Sequence, residues 1–241
     1  MKIVLASTLI LTITFAVIVY LLDSKEKEPM RLLVKAFIWG FFASVLELLV
    51  FRVAVLKFFF SDDFYEFTLL INDELEQINL SRLLFSAFII GGILKEGLKS
   101  YVFYRLVKKI DYEIDEPFDC IVYAVMLSLG FQFFENILFL HQESWFGLDK
   151  LHGFINTLKH LICGVIMGYG YFRYKWGNAT EKNYGTVVAF TLLQVGVHVL
   201  LKAVFIFNTW LAYVVGGILL ASAILYVLAI LQHVKSINKS Y

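Results

Sequence analysis

Seven stretches of the chain stay apolar for about 20 residues, the length at which a helix crosses a bilayer. They run near Ile3 to Leu22, Val34 to Leu56, Leu83 to Val107, Phe118 to Leu140, Leu151 to Tyr171, Gly185 to Phe207 and Trp210 to Leu231, with charged residues gathered between them. The two prolines of the chain, Pro29 and Pro117, each stand just before an apolar run, where a fixed φ starts a helix without breaking one. A β-barrel would instead need short alternating strands separated by turn residues. The pattern therefore predicts an all-α fold, a polytopic transmembrane helical bundle of about seven spans, with residues 1–241 forming a single integral membrane domain. Lys2 ahead of the first run imitates a secretory signal. That run is longer than an h-region of about 7–15 residues, and Asp23 follows it without a small-x-small cleavage site, so it reads as a retained span.

Composition narrows the class. Hydrophobic residues make up 60% of the chain and charged ones 17%, against roughly 45–50% and about 25% in a soluble domain. The mean hydropathy is +0.76. A soluble globular enzyme is excluded, and a net charge of +1 lacks the concentrated basic face a nucleic-acid partner would need. Cys120 and Cys163 both lie inside apolar runs, giving no disulfide framework and no metal knuckle.

Charge in the connections predicts the orientation. Lys25, Lys27 and Arg31, then Arg105, Lys108 and Lys109, then Arg173, Lys175 and Lys182, and finally Lys235 and Lys239 make every second connection basic. The longest of the others, Ser61 to Leu80, carries six acidic residues, Asp62, Asp63, Glu66, Asp73, Glu74 and Glu76. By the positive-inside rule the N-terminus faces outside, the acidic loop outside and the C-terminus the cytoplasm.

Ionisable groups inside spans cost about 2.5–3.5 kcal/mol each on insertion scales and call for a partner or a function. The first and last runs have none, whereas the middle five carry Lys35, Glu47 and Arg52, then Lys95, Glu96 and Lys99, then Glu135, then Lys159 and His160, then His198 and Lys202. Helical spacing sorts them onto faces. Glu96 and Lys99 are three apart and can pair. Ser128, Gln132, Glu135 and Asn136 form one stripe. His152, Asn156, His160, Gly164 and Gly168 form another, ending in a GxxxG contact that admits a close neighbour, and Gln194, His198 and Lys202 form a third. At 1.5 Å per residue Glu135, His160 and His198 fall about 8–14 Å below the outer surface, with Glu96 deeper, near about 20 Å. Four polar stripes are expected to face one another around a site that opens outward, in a motif-bearing core over residues 83–207. Glu47 reads as an interior structural charge, and Arg52 and Lys202 as cations that snorkel to the interface.

A glutamate beside a water can act as general base toward a peptide carbonyl, with imidazole or amide donors stabilising the oxyanion. One Glu with two His, here Glu135, His160 and His198, is also a ligand set for a divalent metal such as zinc with an open position. No HExxH helix is present. The residues alone leave open a metal-dependent enzyme, a metal-free one, a polar scaffold held by hydrogen bonds, and a proton-coupled transporter using the same groups as a relay.

The segment Asp119-Cys-Ile-Val-Tyr123 followed by Gly130-Phe-Gln-Phe-Phe-Glu135-Asn136-Ile-Leu-Phe139 resembles the DGxxY and GFAxxEN motifs of the PrsW family of intramembrane proteases. His160 with Gly164 and Gly168 resembles the family's histidine and glycine helix, His198 its last motif histidine, and Glu96-Gly-Leu-Lys99 the second half of its EExxK motif. The motifs fall in family order over residues 95 to 202. The chain departs from them at Lys95, which replaces the first glutamate, and at Lys202, four residues after the last histidine. The resemblance implies a multi-pass protein of the bacterial inner membrane, surrounded by lipid, that cleaves membrane-tethered or juxtamembrane protein substrates of the anti-sigma-factor type. It assigns the site to Glu96, Lys99, Glu135, Asn136, His160 and His198, working without a cofactor or with a divalent metal. The two lysines leave a catalytically inactive membrane scaffold as the alternative.

Overall fold

In the computed structural model the described residues are 2–23, 27–50, 92–139, 149–206 and 210–238. The acidic loop Ser61 to Leu80 and the first part of the third apolar run lie outside them. The described residues form seven helices: α1 Lys2–Leu22, α2 Met30–Val50, α3 Lys95–Lys109, α4 Asp119–Phe139, α5 Asp149–Trp176, α6 Tyr184–Ile206 and α7 Trp210–Asn238. Both prolines stand where the pattern places them. The Pro29 carbonyl accepts the Leu32 and Leu33 amides at 2.7 and 3.2 Å, which opens α2, and Phe118, next to Pro117, does the same for Ile121 and Val122. A π-type turn over residues 92–94 leads into α3, next to Gly92.

Among the described residues three helices are each long and apolar enough to cross a membrane, over Met30–Val50, Asp119–Leu138 and Gly216–Ile237, while the described parts of α1 and α6 hold apolar stretches at Leu9–Leu22 and Gly185–Val197. The apolar runs predicted seven spans of similar character. The polar stripes that α3 and α5 turn inward lower their hydropathy without moving them out of the bundle. α5 and α7 also run past the predicted ends at Tyr171 and Leu231. Their last turns are polar and interfacial. Arg173 pairs with Glu181, and Lys175 Nζ donates to Asp111 Oδ1 at 2.8 Å and to the Ile114 carbonyl at 2.7 Å.

The centre of the bundle is α4. Residues 118–132 of this stretch are buried without a break, and its most extensive packing is with α2 on one side and α5 on the other. Both crossings are made close by glycine. A methyl group at Gly40 of α2 would run into the Leu127 carbonyl, and one at Gly130 of α4 into the Phe37 carbonyl, so these two backbones touch. Across the other crossing a methyl at Gly168 would sit 2.6 Å from the Cys120 carbonyl, and one at Gly164 would sit 2.9 Å from Ser128 Oγ. The GxxxG face of α5 thus meets α4. α1 packs against α4 and α5, while α7 lies against α6 and α5. Ile10, Ile13 and Leu21 of α1, Phe42 and Leu49 of α2, and Ile218 and Leu225 of α7 are exposed, as befits faces turned to lipid.

Candidate active site

The polar stripes of α3, α4 and α5 meet where α4 passes between its neighbours. Glu135 Oε2 lies 2.8 Å from His160 Nε2, joining α4 to α5. His160 Nδ1 lies 3.0 Å from Lys99 Nζ, and Lys99 Nζ lies 2.7 Å from Glu96 Oε2 on the same helix. The other Glu135 oxygen, Oε1, is ion-paired with Lys95. Five side chains therefore form one chain, Glu96, Lys99, His160, Glu135, Lys95, with carboxylates and ammonium groups on either side of an imidazole. An ammonium has donors only, so Lys99 donates to Nδ1, and Nε2 carries the proton it donates to Glu135. Glu96, Lys99 and His160 are fully buried, Glu135 nearly so, and Lys95 is the most exposed member, its side chain at 17%.

Around this chain the amides complete the stripe. Asn156 Nδ2 donates to Asn136 Oδ1 at 2.9 Å, and the Thr12 hydroxyl of α1 donates to Gln132 Oε1 at 3.5 Å, so the first helix is not purely apolar toward the interior. Two of these amide groups have unspent hydrogens: Asn136 Nδ2 and Gln132 Nε2 are buried and donate to nothing among the described residues. The Phe131 ring closes one side, 5.8 Å from the imidazole and 5.3 Å from Lys99 Nζ. From α6, Gln194 Nε2 reaches Ser100 Oγ at 3.5 Å. His198 lies on α6, but its side chain, like that of Lys202, is outside the described residues.

The sequence marks Lys95 as an in-span charge in need of a partner and as a departure from an acidic motif, but does not say which residue it meets; the structure makes it the countercharge of Glu135. Glu47 is an interior charge, as its place in the second apolar run predicts, and it adds to the negative field at Lys95. The usable signal was a set of oppositely charged residues on different spans, which have little choice but to find each other.

Asp119 and Tyr123 do not join this site. They sit toward the other end of α4, about 24 and about 18 Å from Glu135 along the helix at 1.5 Å per residue. Asp119 Oδ2 accepts the Glu116 amide at 2.7 Å, and the Tyr123 hydroxyl donates to Glu28. Asp23 Oδ2 accepts the Glu28 amide at 3.4 Å. Burial raises the Asp23 and Glu28 carboxyls above their usual range, and neighbouring acidic groups add to the shift in both.

The donor set around Glu135 fits a metal poorly. Both carboxylate oxygens and both imidazole nitrogens are engaged by protein groups, and two ammonium groups stand beside them. Among the described residues the group of three ligand-bearing side chains that converges is Asp23, Glu116 and Asp119.

A family model described as PrsW family intramembrane metalloprotease matches residues 28–231. A protein named Protease PrsW from Clostridioides difficile (strain 630) is 26% identical over 197 residues, covering 79% of this chain and 72% of that one. Proteins of the same name from Oceanobacillus iheyensis and Bacillus subtilis (strain 168) are 31% and 30% identical, covering 63% and 62% of this chain and 60% and 59% of theirs. No solved structure matches.

Proposed function

Because the chain belongs to the PrsW family of intramembrane metalloproteases, a family of membrane-embedded peptidases, we propose that it hydrolyses peptide bonds in membrane-tethered or juxtamembrane protein substrates at the Glu135–His160 pair. The observation that carries this reading is a buried carboxylate oriented by an imidazole, with two unspent amide donors, Asn136 Nδ2 and Gln132 Nε2, on the same helix face.

Lys95 leaves the Glu135 oxygen as substrate enters, and a water takes its place. Glu135 removes one proton from that water while its oxygen attacks the carbonyl carbon. The oxyanion is met by the amide hydrogens of Asn136 and Gln132 in a site already dry and fixed, where such donors are worth most. The C–N bond then breaks, and the proton held by Glu135 passes to the leaving amine. His160 keeps the carboxylate oriented through Nε2–H, and Lys99 fixes the imidazole tautomer through Nδ1. Glu96 anchors Lys99. The reading routes no step through a metal, because the engaged donors and the adjacent ammonium groups do not suit one. His198 is the remaining candidate for an oxyanion donor. The motif resemblance supports signalling substrates of the anti-sigma-factor type.

Peptide cleavage by purified protein tests this reading. Glu135→Gln keeps shape and hydrogen bonding but removes the base, so the rate falls by at least about a hundredfold; equal cleavage by both proteins would overturn the proposal. One observation favours a second reading, a non-catalytic scaffold: the ion pair in which Lys95 occupies Glu135. Lys95→Glu separates the two. Cleavage above wild type supports a held protease, and no cleavage by either protein supports the scaffold.

A further inference from the structure

The acidic group at the far end of α4 joins two connections of the chain that are almost a hundred residues apart. Asp23 ends α1 and Glu28 precedes α2; Glu116 and Asp119 bracket the start of α4. Asp23, Glu116 and Asp119 each bring a carboxylate oxygen within 4.8 Å of the other two. They are 0%, 8% and 1% exposed. Three carboxylates converging in so little volume repel one another unless something positive stands between them.

Two of their oxygens meet no donor. Asp23 Oδ1 and Asp119 Oδ1 are buried and accept no N–H or O–H among the described residues; the second oxygen of each takes a backbone amide, and the Asp119 and Glu28 carboxyls stand within hydrogen-bonding reach of each other. The nearby ammonium, Lys27 Nζ, is spent on backbone carbonyls, those of Tyr20 at 2.7 Å and of Asp23, which places it at the C-terminal end of α1. The amides thus hold each carboxylate by one oxygen while the other faces its neighbours.

We propose that Asp23, Glu116 and Asp119, with Glu28 beside them, bind one hard divalent cation, of the class of Mg2+, Mn2+ or Ca2+, which ties the α1–α2 connection to the N-terminal end of α4. An all-oxygen, all-carboxylate donor set suits these ions and gives no thiolate or imidazole for softer metals. Glu28, held by the Tyr123 hydroxyl, and Glu116, at 8% the least buried of the three, complete the donor set. The site is separate from Glu135 and takes no part in the hydrolysis; its role is to fix the end of the central helix on which Glu135 is carried.

Mn2+ titration of the purified full chain in detergent, read by electron paramagnetic resonance, tests this. Wild type should take up one Mn2+ per chain, displaceable by Mg2+ or Ca2+, and the same ions should raise its unfolding temperature. Asp119→Asn should weaken binding by at least about tenfold, the scale on which site groups affect metal affinity, and Asp23→Asn provides the same reading if the first variant fails to fold. Glu135→Gln should bind as wild type does. Absence of binding at millimolar Mn2+, binding indifferent to both Asp variants, or binding lost in Glu135→Gln would each overturn the proposal, the first meaning that the carboxyls share protons instead.

Discussion

Lys99 touches Glu96 on its own helix and His160 on α5, so one ammonium supports two buried polar groups. Removing it with Lys99→Met leaves the Glu96 carboxylate buried without its countercharge, which costs about 3–5 kcal/mol in comparable buried pairs. Unfolding in detergent should show that loss. Cleavage should fall as well, because His160 would no longer be tied to one tautomer. Deleting both charges with Glu96→Gln and Lys99→Met together should cost less than the lysine change alone, since no unpaired charge then remains. A double variant that is worse than Lys99→Met would mean that the two residues do not act as a pair. The Glu96–Lys99 pairing was readable from spacing alone, because neighbours on one helix are fixed by its pitch. The Lys95–Glu135 contact was not, because residues 40 positions apart meet only when two helices take a particular rotation and depth.

At the scale of helices, glycine separates contact from open space. Gly130→Ala would drive a methyl into the Phe37 carbonyl, and backbone does not yield as a flexible side chain does. It should destabilise by at least about 1–3 kcal/mol, the usual cost of overpacking. Gly217 of α7 has nothing near its Cβ position, so Gly217→Ala should be neutral or stabilising by about 0.5–1 kcal/mol. Unfolding curves of the two variants check this contrast. Element positions were largely legible in the chain: the apolar runs, the proline starts and the small-residue stripe of α5 all follow from local chemistry. The ends of α5 and α7 were not, since Arg173, Lys175 and Lys235 continue their helices through contacts with other connections. The acidic group at Asp23, Glu116 and Asp119 was equally hidden, because acids in connections ordinarily face water and only the packing buries them.

Across the whole molecule the basic connections gather at one end. Lys175 meets Asp111, and Lys235 lies 5.7 Å from the Phe118 ring centre. By the positive-inside rule we expect that end to be cytoplasmic and the acidic sequence around Asp73 to be outside. In intact cells an impermeant thiol reagent should label Asp73→Cys and spare Lys108→Cys, and the buried Cys120 and Cys163 should stay silent. The reverse pattern would invert the protein. The charge count of the interior matters here too. Among the described residues, the carboxylates of Glu47, Glu96 and Glu135 and the ammonium groups of Lys95, Lys99 and Lys159 form one electrostatic neighbourhood together with His160, three of each sign. A single uncompensated charge carried across the membrane would exchange about 2.3 kcal/mol with every 100 mV of membrane potential. A set that sums to zero and whose members keep their depths exchanges almost none, so if Lys95 steps aside within its own layer when substrate enters, energised and de-energised proteoliposomes should cleave at the same rate, whatever the voltage around the protein.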